Sequence, residues 1–179
     1  MTAPVLTYKD ALIAANTALG DDARRRFVGY GLKKGRALGT LKAVNETQIV
    51  ETPVAENLMV GLATGLSLRG LLPVVFIERM DFILNALDAI VNHLDKLDAM
   101  SGGAFRPAVI LRAVVGNRNK PLYTGVTHTQ DFTEALRTMV SFPVLRLATA
   151  ENVAPMYRQA DQNQQSGLST LLIEYKDLV

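Results

Sequence analysis

The sequence has 179 residues, of which 49% are hydrophobic and 20% are charged, a composition typical of one globular domain with a buried core. A formal net charge of +2 does not indicate a nucleic-acid or membrane partner. The absence of cysteine excludes disulfides, thiolate catalysis and cysteine-ligated metals, and the two histidines, His93 and His128, have no metal-ligand spacing.

Two helices and two strands are predicted in the first third of the chain. In chain order they are a helix over Thr7–Leu19, a strand over Arg26–Gly31, a short strand over Gln48–Val50 and a helix over Thr52–Leu68. The second helix is predicted to begin with Thr52 as its N-cap and Pro53 at its first helical position. The basic run Arg24–Arg26 is expected to be the solvated end of a helix.

The remainder of the chain alternates strands with helices. The predicted elements are strand Leu72–Ile77, helix Phe82–Leu97, strand Ala108–Val115, helix Asp131–Met139, strand Val144–Leu147, helix Ala150–Gln162 and strand Thr170–Tyr175. The continuous apolar runs are typical of strands that are covered on both faces. We therefore predict an α/β fold, a mostly parallel twisted sheet with helices on both faces, formed by residues 1–179 as a single domain.

No signal peptide and no apolar run long enough to span a bilayer are recognisable, so a cytoplasmic location is expected. A dinucleotide-binding glycine turn and a phosphate-binding Walker loop are also missing from the sequence. A nucleotide-binding domain of either type is therefore not supported.

One segment, V-A-E-N-L-M-V-G-L-A-T-G-L (Val54–Leu66), places a carboxyl group among apolar residues in the first turn of a helix. The helix N-terminus favours the anionic form of Glu56, whereas burial favours the neutral acid. Gly61 and Gly65 each cost a helix interior about 1 kcal/mol, which predicts a close approach by another helix or backbone. On spacing alone a simpler interpretation stays open. In it the charge of Glu56 compensates the helix dipole, and the two glycines have an ordinary packing role.

The same segment resembles the pyrimidine-binding domain of thiamine-diphosphate enzymes, whose pattern is hydrophobic-x-Glu-x₄-Gly-hydrophobic-x-x-Gly-hydrophobic. Its fixed positions are filled here by Val54, Glu56, Gly61, Leu62, Gly65 and Leu66. The surroundings are similar to the beta subunits of 2-oxo-acid dehydrogenases and their transketolase-like relatives. The segments that show this similarity are E-T-P-V-A-E from Glu51, R-G-L-L-P-V-V from Arg69, M-D-F from Met80, L-D-A-I-V-N from Leu87, M-S-G-G from Met100 and H-T-Q from His128. The resemblance covers essentially the whole chain.

The resemblance implies roles for five residues. The glutamate matching Glu56 hydrogen-bonds a pyrimidine nitrogen of the cofactor, and by sharing a proton there it helps the thiazolium ring to lose its own proton. Phe82 matches an aromatic residue that packs on the pyrimidine, Val54 matches an apolar contact to the same ring, and Glu78 is counted with these cofactor-binding residues. His128 matches a catalytic histidine that faces the substrate, with a loop histidine of no consequence as the alternative.

Three departures from the family pattern limit what the chain does alone. It lacks the Gly-Asp-Gly motif and downstream asparagine that hold magnesium and the diphosphate, and it ends where family beta subunits continue into another domain. Tyr30 and Gly31 stand where the family carries acidic residues. As part of this third departure, Glu78 and Arg79 are charged where relatives are often neutral. We interpret Arg79 as solvent-facing, with contact to an anionic substrate as the alternative.

Taken with these departures, the resemblance implies an incomplete catalyst that uses thiamine diphosphate. A diphosphate-binding partner chain carrying Gly-Asp-Gly would hold the magnesium, in a hetero-oligomer built on a homodimer, and this chain would supply no metal ligand. The expected reaction is 2-oxo-acid decarboxylation, or ketol or acyl transfer. The alternative is a non-catalytic scaffold or regulatory domain, against which the retention of Glu56 speaks, because a buried carboxyl group without a role is costly.

Overall fold

The computed structural model describes residues 6–120 and 125–179. In these residues six parallel strands form one sheet in the order β2-β1-β3-β4-β6-β5. The strands are β1 Arg25–Gly29, β2 Ile49–Glu51, β3 Leu72–Ile77, β4 Ile110–Val115, β5 Val144–Arg146 and β6 Thr170–Tyr175. The predicted α/β class with a parallel sheet is confirmed.

Helical segments connect these strands. The α-helices are α1 Tyr8–Gly20, α2 Leu32–Gly35, α3 Glu56–Leu68, α4 Leu97–Met100, α5 Thr133–Met139 and α6 Ala150–Gln165. The 3₁₀ helices are Glu46–Gln48, Met80–Ala86, Gly125–Thr127 and Lys176–Leu178, and a π-helix covers Asp88–Leu94. In the described part of the chain, no helix combines the length and apolarity that crossing a membrane requires.

The sheet separates two hydrophobic cores. Val75 and Ile77 of β3 pack in the core that holds α3 and α5, whereas Val74 and Phe76 pack in the core that holds α1 and α6. Successive side chains of a strand point to opposite faces, so an unbroken apolar strand serves both layers.

The prediction of a single α-helix over Phe82–Leu97 is wrong. The chain instead forms the 3₁₀ helix Met80–Ala86, followed by the π-helix Asp88–Leu94. Met80, Ile83 and Ala86 are fully buried and recur at every third position, which is the repeat of a 3₁₀ helix. This tighter winding buries Ile83 while the preceding Phe82 remains only half-buried, at the edge of the core.

The predicted cap of α3 is also wrong. Thr52 lies beyond the end of β2, and its N–H donates to the carbonyl of Gly29 at 3.0 Å, as a continuation of the strand pairing. The helix begins at Glu56, after Ala55, which provides no side-chain cap. Glu56 is therefore the first helical residue, at the N-terminus of α3 and five positions after Glu51, where β2 ends.

Arg25 does not lie at a solvated helix end. It is 1% exposed within β1, and it forms an ion pair with Asp161 at 2.5 Å and donates a hydrogen bond to Gln164. Both partners belong to α6, which is distant in sequence. Arg24 is exposed, as predicted, but it lies in the turn between α1 and β1 and not at a helix end, and it pairs with Asp22 at 2.7 Å.

A buried ion pair joins two central strands. Arg112 of β4 donates to Glu174 of β6 at 2.7 Å and 3.1 Å, and both side chains are fully buried. The Arg112 guanidinium also lies 5.0 Å from the centroid of the Phe76 ring, and Tyr157 donates to Glu174 at 2.8 Å. A buried charge pair of this kind requires several partners, which the sequence pattern does not reveal.

The carboxyl ends of four strands meet at one edge of the sheet. Tyr30 follows β1, Glu78 follows β3, Gly116 follows β4 and Lys176 follows β6. In open parallel sheets, crevices outside these ends are where ligands bind. The site residues that were predicted from the sequence lie along this edge.

Candidate active site

Glu56 lines a cavity of about 90 Å³ at the carboxyl edge of the sheet. The residues that surround this cavity are Tyr30, Val54, Glu56, Met59, Phe76, Glu78 and Phe82. Glu56 is only 5% exposed. Among the described residues its side chain has one hydrogen-bond donor, the amide of exposed Asn85 at 3.5 Å, so most of its hydrogen-bonding capacity is available to a ligand in the cavity.

The residues that line the cavity are apolar or aromatic apart from the carboxyl groups of Glu56 and Glu78 and the hydroxyl group of Tyr30. The half-buried Phe82 and the more exposed Tyr30 contribute aromatic surface, and Val54, at 62% exposure, forms the rim. This lining suits a flat heteroaromatic ring, which has apolar faces and a nitrogen atom at its edge that pairs with a carboxyl group. The residues present therefore fit an aminopyrimidine.

His128 is adjacent to this cavity through Phe82. The two rings meet edge to face, with centroids 5.2 Å apart and planes 86° apart. The backbone of His128 is packed directly on Gly116 at the end of β4, because a Cβ atom at position 116 would lie 1.7 Å from the His128 carbonyl oxygen. The structure thus places Glu56, Phe82 and His128 in one row along the edge.

Asp81 fixes the loop that carries His128. One oxygen of its carboxylate accepts hydrogen bonds from the Gln130 side-chain amide at 2.9 Å and from the Gln130 N–H at 3.3 Å. Asp81 is 7% exposed, and its other oxygen is buried without a partner among the described residues. This role was not predicted from the sequence, although Asp81 in M-D-F directly precedes Phe82 and Gln130 in H-T-Q lies two positions after His128.

Glu78 and Arg79 lie side by side at the end of β3, with different surroundings. Glu78 is half-buried and lines both the 90 Å³ cavity and an adjoining cavity of about 460 Å³ beside Tyr30. Arg79 is 7% exposed, so its interpretation as solvent-facing is wrong. The Arg79 side chain turns along the sheet edge, where Nη1 donates to the Glu78 carbonyl at 2.6 Å and lies 3.6 Å from the Glu78 carboxylate.

The close approach predicted at Gly61 and Gly65 does not occur within the described part of this chain. A Cβ atom at either position would meet nothing within 4 Å. The same side of α3 exposes Leu58 at 52% and Leu68 at 41%. We call this surface, formed by Leu58, Gly61, Gly65 and Leu68, the open face of α3.

Residues 7–178 match the family described as transketolase, pyrimidine binding domain. The chain belongs to this family. The match covers nearly the whole sequence and confirms the resemblance drawn from the motif around Glu56. In this pyrimidine-binding domain, the residues described in 6–120 and 125–179 include no group of three or more His, Asp or Glu side chains that could hold a metal ion.

Relatives of this pyrimidine-binding domain include subunits of pyruvate dehydrogenase. The mitochondrial pyruvate dehydrogenase E1 component subunit beta of Saccharomyces cerevisiae is 29% identical over 142 residues, which are 79% of this chain and 37% of that protein. The corresponding beta subunit of Chlorokybus atmophyticus is 33% identical over 113 residues, covering 63% of this chain and 33% of that protein. The chain thus spans about a third of the length of these relatives.

A similar solved structure is a split-gene transketolase described as an inactive beta4 tetramer. The superposition has a TM-score of 0.69 at 16% identity and covers 96% of this chain and 52% of that chain. At this identity the similarity establishes the fold alone. It agrees with the parallel sheet of the pyrimidine-binding domain.

Proposed function

We propose that this chain is the subunit of a thiamine-diphosphate-dependent enzyme that activates the cofactor through Glu56. The observation that carries the proposal is a buried carboxyl group in an apolar, aromatic-walled cavity at the carboxyl edge of the sheet. Family membership supports the same assignment. When bound, thiamine diphosphate supplies a thiazolium ring that accepts electrons from a carbonyl substrate.

In this proposal the residues of the 90 Å³ cavity orient the cofactor. Glu56 holds a proton at the pyrimidine nitrogen, which is general acid–base chemistry by a positioned side chain. Phe82 packs on the ring, Val54 closes the rim, and Glu78 borders the open side of the cavity. The apolar walls exclude water and so strengthen the hydrogen bond of Glu56 to the ring.

His128 is proposed to face the substrate. Its ring is half-buried and is positioned by contact with Phe82 and by the packing of its backbone on Gly116. From there the imidazole can orient or protonate a reacting oxygen. The proposed reaction is decarboxylation of a 2-oxo acid, or transfer of a ketol or acyl unit, and the names of the pyruvate dehydrogenase relatives support this class.

The active site is proposed to be completed by a partner chain that carries Gly-Asp-Gly and holds magnesium and the diphosphate. The 179-residue sequence lacks that motif. The open face of α3 offers glycines and exposed leucines to another chain, in a hetero-oligomer built on a homodimer. The tetrameric description of the split-gene transketolase is in keeping with such an assembly. A cytoplasmic location stays a prediction.

Calorimetry tests this division of the site. The 179-residue chain, the Gly-Asp-Gly chain and their mixture are each titrated with thiamine diphosphate and magnesium. We expect binding in the mixture that is tighter than in either chain alone. Tight binding by the 179-residue chain alone would contradict the shared site. Unchanged binding on mixing would favour the scaffold alternative.

A further inference from the structure

Among the described residues, one side chain hydrogen-bonds the carboxyl group of Glu56. The side-chain nitrogen Nδ2 of Asn85 lies 3.5 Å from Oε2 of Glu56. Asn85 does not line the 90 Å³ cavity, so it reaches the carboxyl group from outside and leaves the cavity free for a ligand. The distance is long for a hydrogen bond, as polar contacts in an active site often are before the ligand binds.

The 3₁₀ helix Met80–Ala86 brings Asn85 to this position. Side chains three positions apart line up along a 3₁₀ helix, so Asn85 follows Phe82 on one side of it, whereas Ile83 faces the core. In an α-helix three residues fall about one sixth of a turn short of a full turn, which would rotate Asn85 away from Phe82. The 3₁₀ winding therefore places both side chains beside Glu56.

The Asn85 amide has no other hydrogen-bonding role in the described part of the chain. Its side chain is exposed, and its contact with Glu56 is the one hydrogen bond that it forms with a described residue. Asparagine has a low helix propensity, and Asn85 caps no helix end, so local structure does not account for an amide here. Asn92, in the next helical segment, is also exposed but donates to Asp88 at 2.9 Å.

A neutral amide remains a partner of a carboxyl group whether or not that group carries a proton. A carboxylate only accepts hydrogen bonds, and the amide nitrogen donates to it; a carboxylic acid also donates, and the amide oxygen accepts from it after a half-turn of the amide. An ammonium group would donate only, and a second carboxylate would accept only. Asn85 therefore suits a carboxyl group that gains and loses a proton.

We propose that Asn85 is a positioning residue for cofactor activation: its amide holds Oε2 of Glu56, so that Oε1 faces the cavity and exchanges a proton with the nitrogen of an aminopyrimidine. The inference rests on the proposed function, because Asn85 acts through Glu56. Oε1 has no hydrogen-bond partner among the described residues. Fixing the other oxygen matters because a displacement of about 1 Å between reacting groups slows a reaction by about a hundredfold.

NMR of the 179-residue chain tests the contact in the absence of cofactor and partner. Glu56→Gln replaces the carboxyl group with a neutral amide, so the side-chain amide resonances of Asn85 should shift while those of Asn92 stay unchanged. Asp88→Asn is the matched control, because Asp88 is the acceptor of Asn92; it should shift Asn92 and leave Asn85 unchanged. Unchanged Asn85 resonances in Glu56→Gln would overturn the proposal.

Proton exchange at the thiazolium carbon, in the assembled complex with thiamine diphosphate and magnesium, tests the positioning role. Asn85→Leu removes both donor and acceptor, and Asn85→Asp removes the donor and adds a like charge beside Glu56. Each should slow exchange by about tenfold or more, as expected for the loss of a hydrogen bond to a charged group. Asn85→Gln keeps the amide and should restore most of the rate. Asn92→Leu and Asn92→Asp are exposed controls that should exchange like the unaltered complex, and sedimentation verifies the assembly of every variant.

Failure of this inference and failure of the proposed function give different results. Unaltered exchange in Asn85→Leu and Asn85→Asp, with slowed exchange in Glu56→Gln, would refute the positioning role and leave the role of Glu56 intact. Exchange as slow in Asn85→Gln as in Asn85→Leu would show that the amide group is not what holds the carboxyl group. Unaltered exchange in Glu56→Gln would refute the proposed function and the role of Asn85 together, although the NMR contact would remain.

Discussion

Asp81 and Gln130 join two parts of the candidate active site that are distant in sequence. The Asp81 carboxylate accepts from the Gln130 side-chain amide at 2.9 Å and from its N–H at 3.3 Å, and it does so at 7% exposure. Phe82 follows Asp81 directly, and His128 precedes Gln130 by two positions. The pair therefore sets the edge-to-face contact of the Phe82 and His128 rings, so we regard Asp81 as a positioning residue.

Replacing Asp81 with alanine should release the loop of His128. Loss of hydrogen bonds to a buried charged group lowers the free energy of unfolding by about 1–3 kcal/mol. Urea unfolding measures this loss, and NMR measures the chemical shifts of the His128 ring protons, which the Phe82 ring perturbs in the unaltered chain. Asp177→Ala, at an exposed position, is the control. Unchanged His128 shifts in Asp81→Ala would show that Asp81 does not position the histidine.

Gly116 is expected to tolerate no side chain. A methyl group there would lie 1.7 Å from the His128 carbonyl oxygen, so Gly116→Ala must displace the loop. Overpacking of this kind lowers the free energy of unfolding by about 1–3 kcal/mol. Urea unfolding and the His128 proton shifts measure both effects. Gly35→Ala is the matched control, because a Cβ atom at position 35 meets nothing within 4 Å; equal behaviour of the two variants would refute the close packing.

The open face of α3 predicts opposite effects of the same substitution on two measurements. In the isolated chain, Gly61→Ala and Gly65→Ala should each raise the free energy of unfolding by roughly 1 kcal/mol, because the added methyl meets no atom and alanine favours the helix. In the presence of the partner, both should weaken assembly, since the methyl enters the proposed contact.

Urea unfolding and sedimentation of the mixed chains measure these two effects. Arg69→Ala, an exposed change at the end of α3, is the control that should alter assembly little. Variants of Gly61 and Gly65 that assemble like the unaltered chain would place the partner elsewhere.

Local sequence patterns predicted the strands well. The bounds of β3 and β6 agree with prediction, because each is an apolar run that begins shortly after a glycine turn and ends next to charged residues. The burial of Glu56 was also predictable, since its neighbours on the helix are apolar. These features depend on residues that are close in sequence.

Features that depend on distant partners were not predictable. The buried position of Arg25 requires Asp161 and Gln164. The buried position of Arg79 depends on residues that follow the neighbouring strands β4 and β6. Over Met80–Leu94, apolar spacings of three and four residues fit an α-helix as well as the observed 3₁₀ and π segments. The roles assigned to Val54, Glu56, Glu78, Phe82 and His128 stay predictions, although the structure brings all five to one edge.

Proton exchange at the thiazolium carbon tests the role of Glu56 most directly. The complex of this chain with the Gly-Asp-Gly chain, thiamine diphosphate and magnesium is mixed with D₂O, and NMR of the quenched cofactor follows the exchange. We expect Glu56→Gln to slow exchange by at least about a hundredfold, the typical contribution of a positioned acid–base group, while assembly is retained. Glu46→Gln, at an exposed glutamate, should exchange like the unaltered complex. Exchange in Glu56→Gln at the unaltered rate would contradict the proposal that this carboxyl group activates the cofactor.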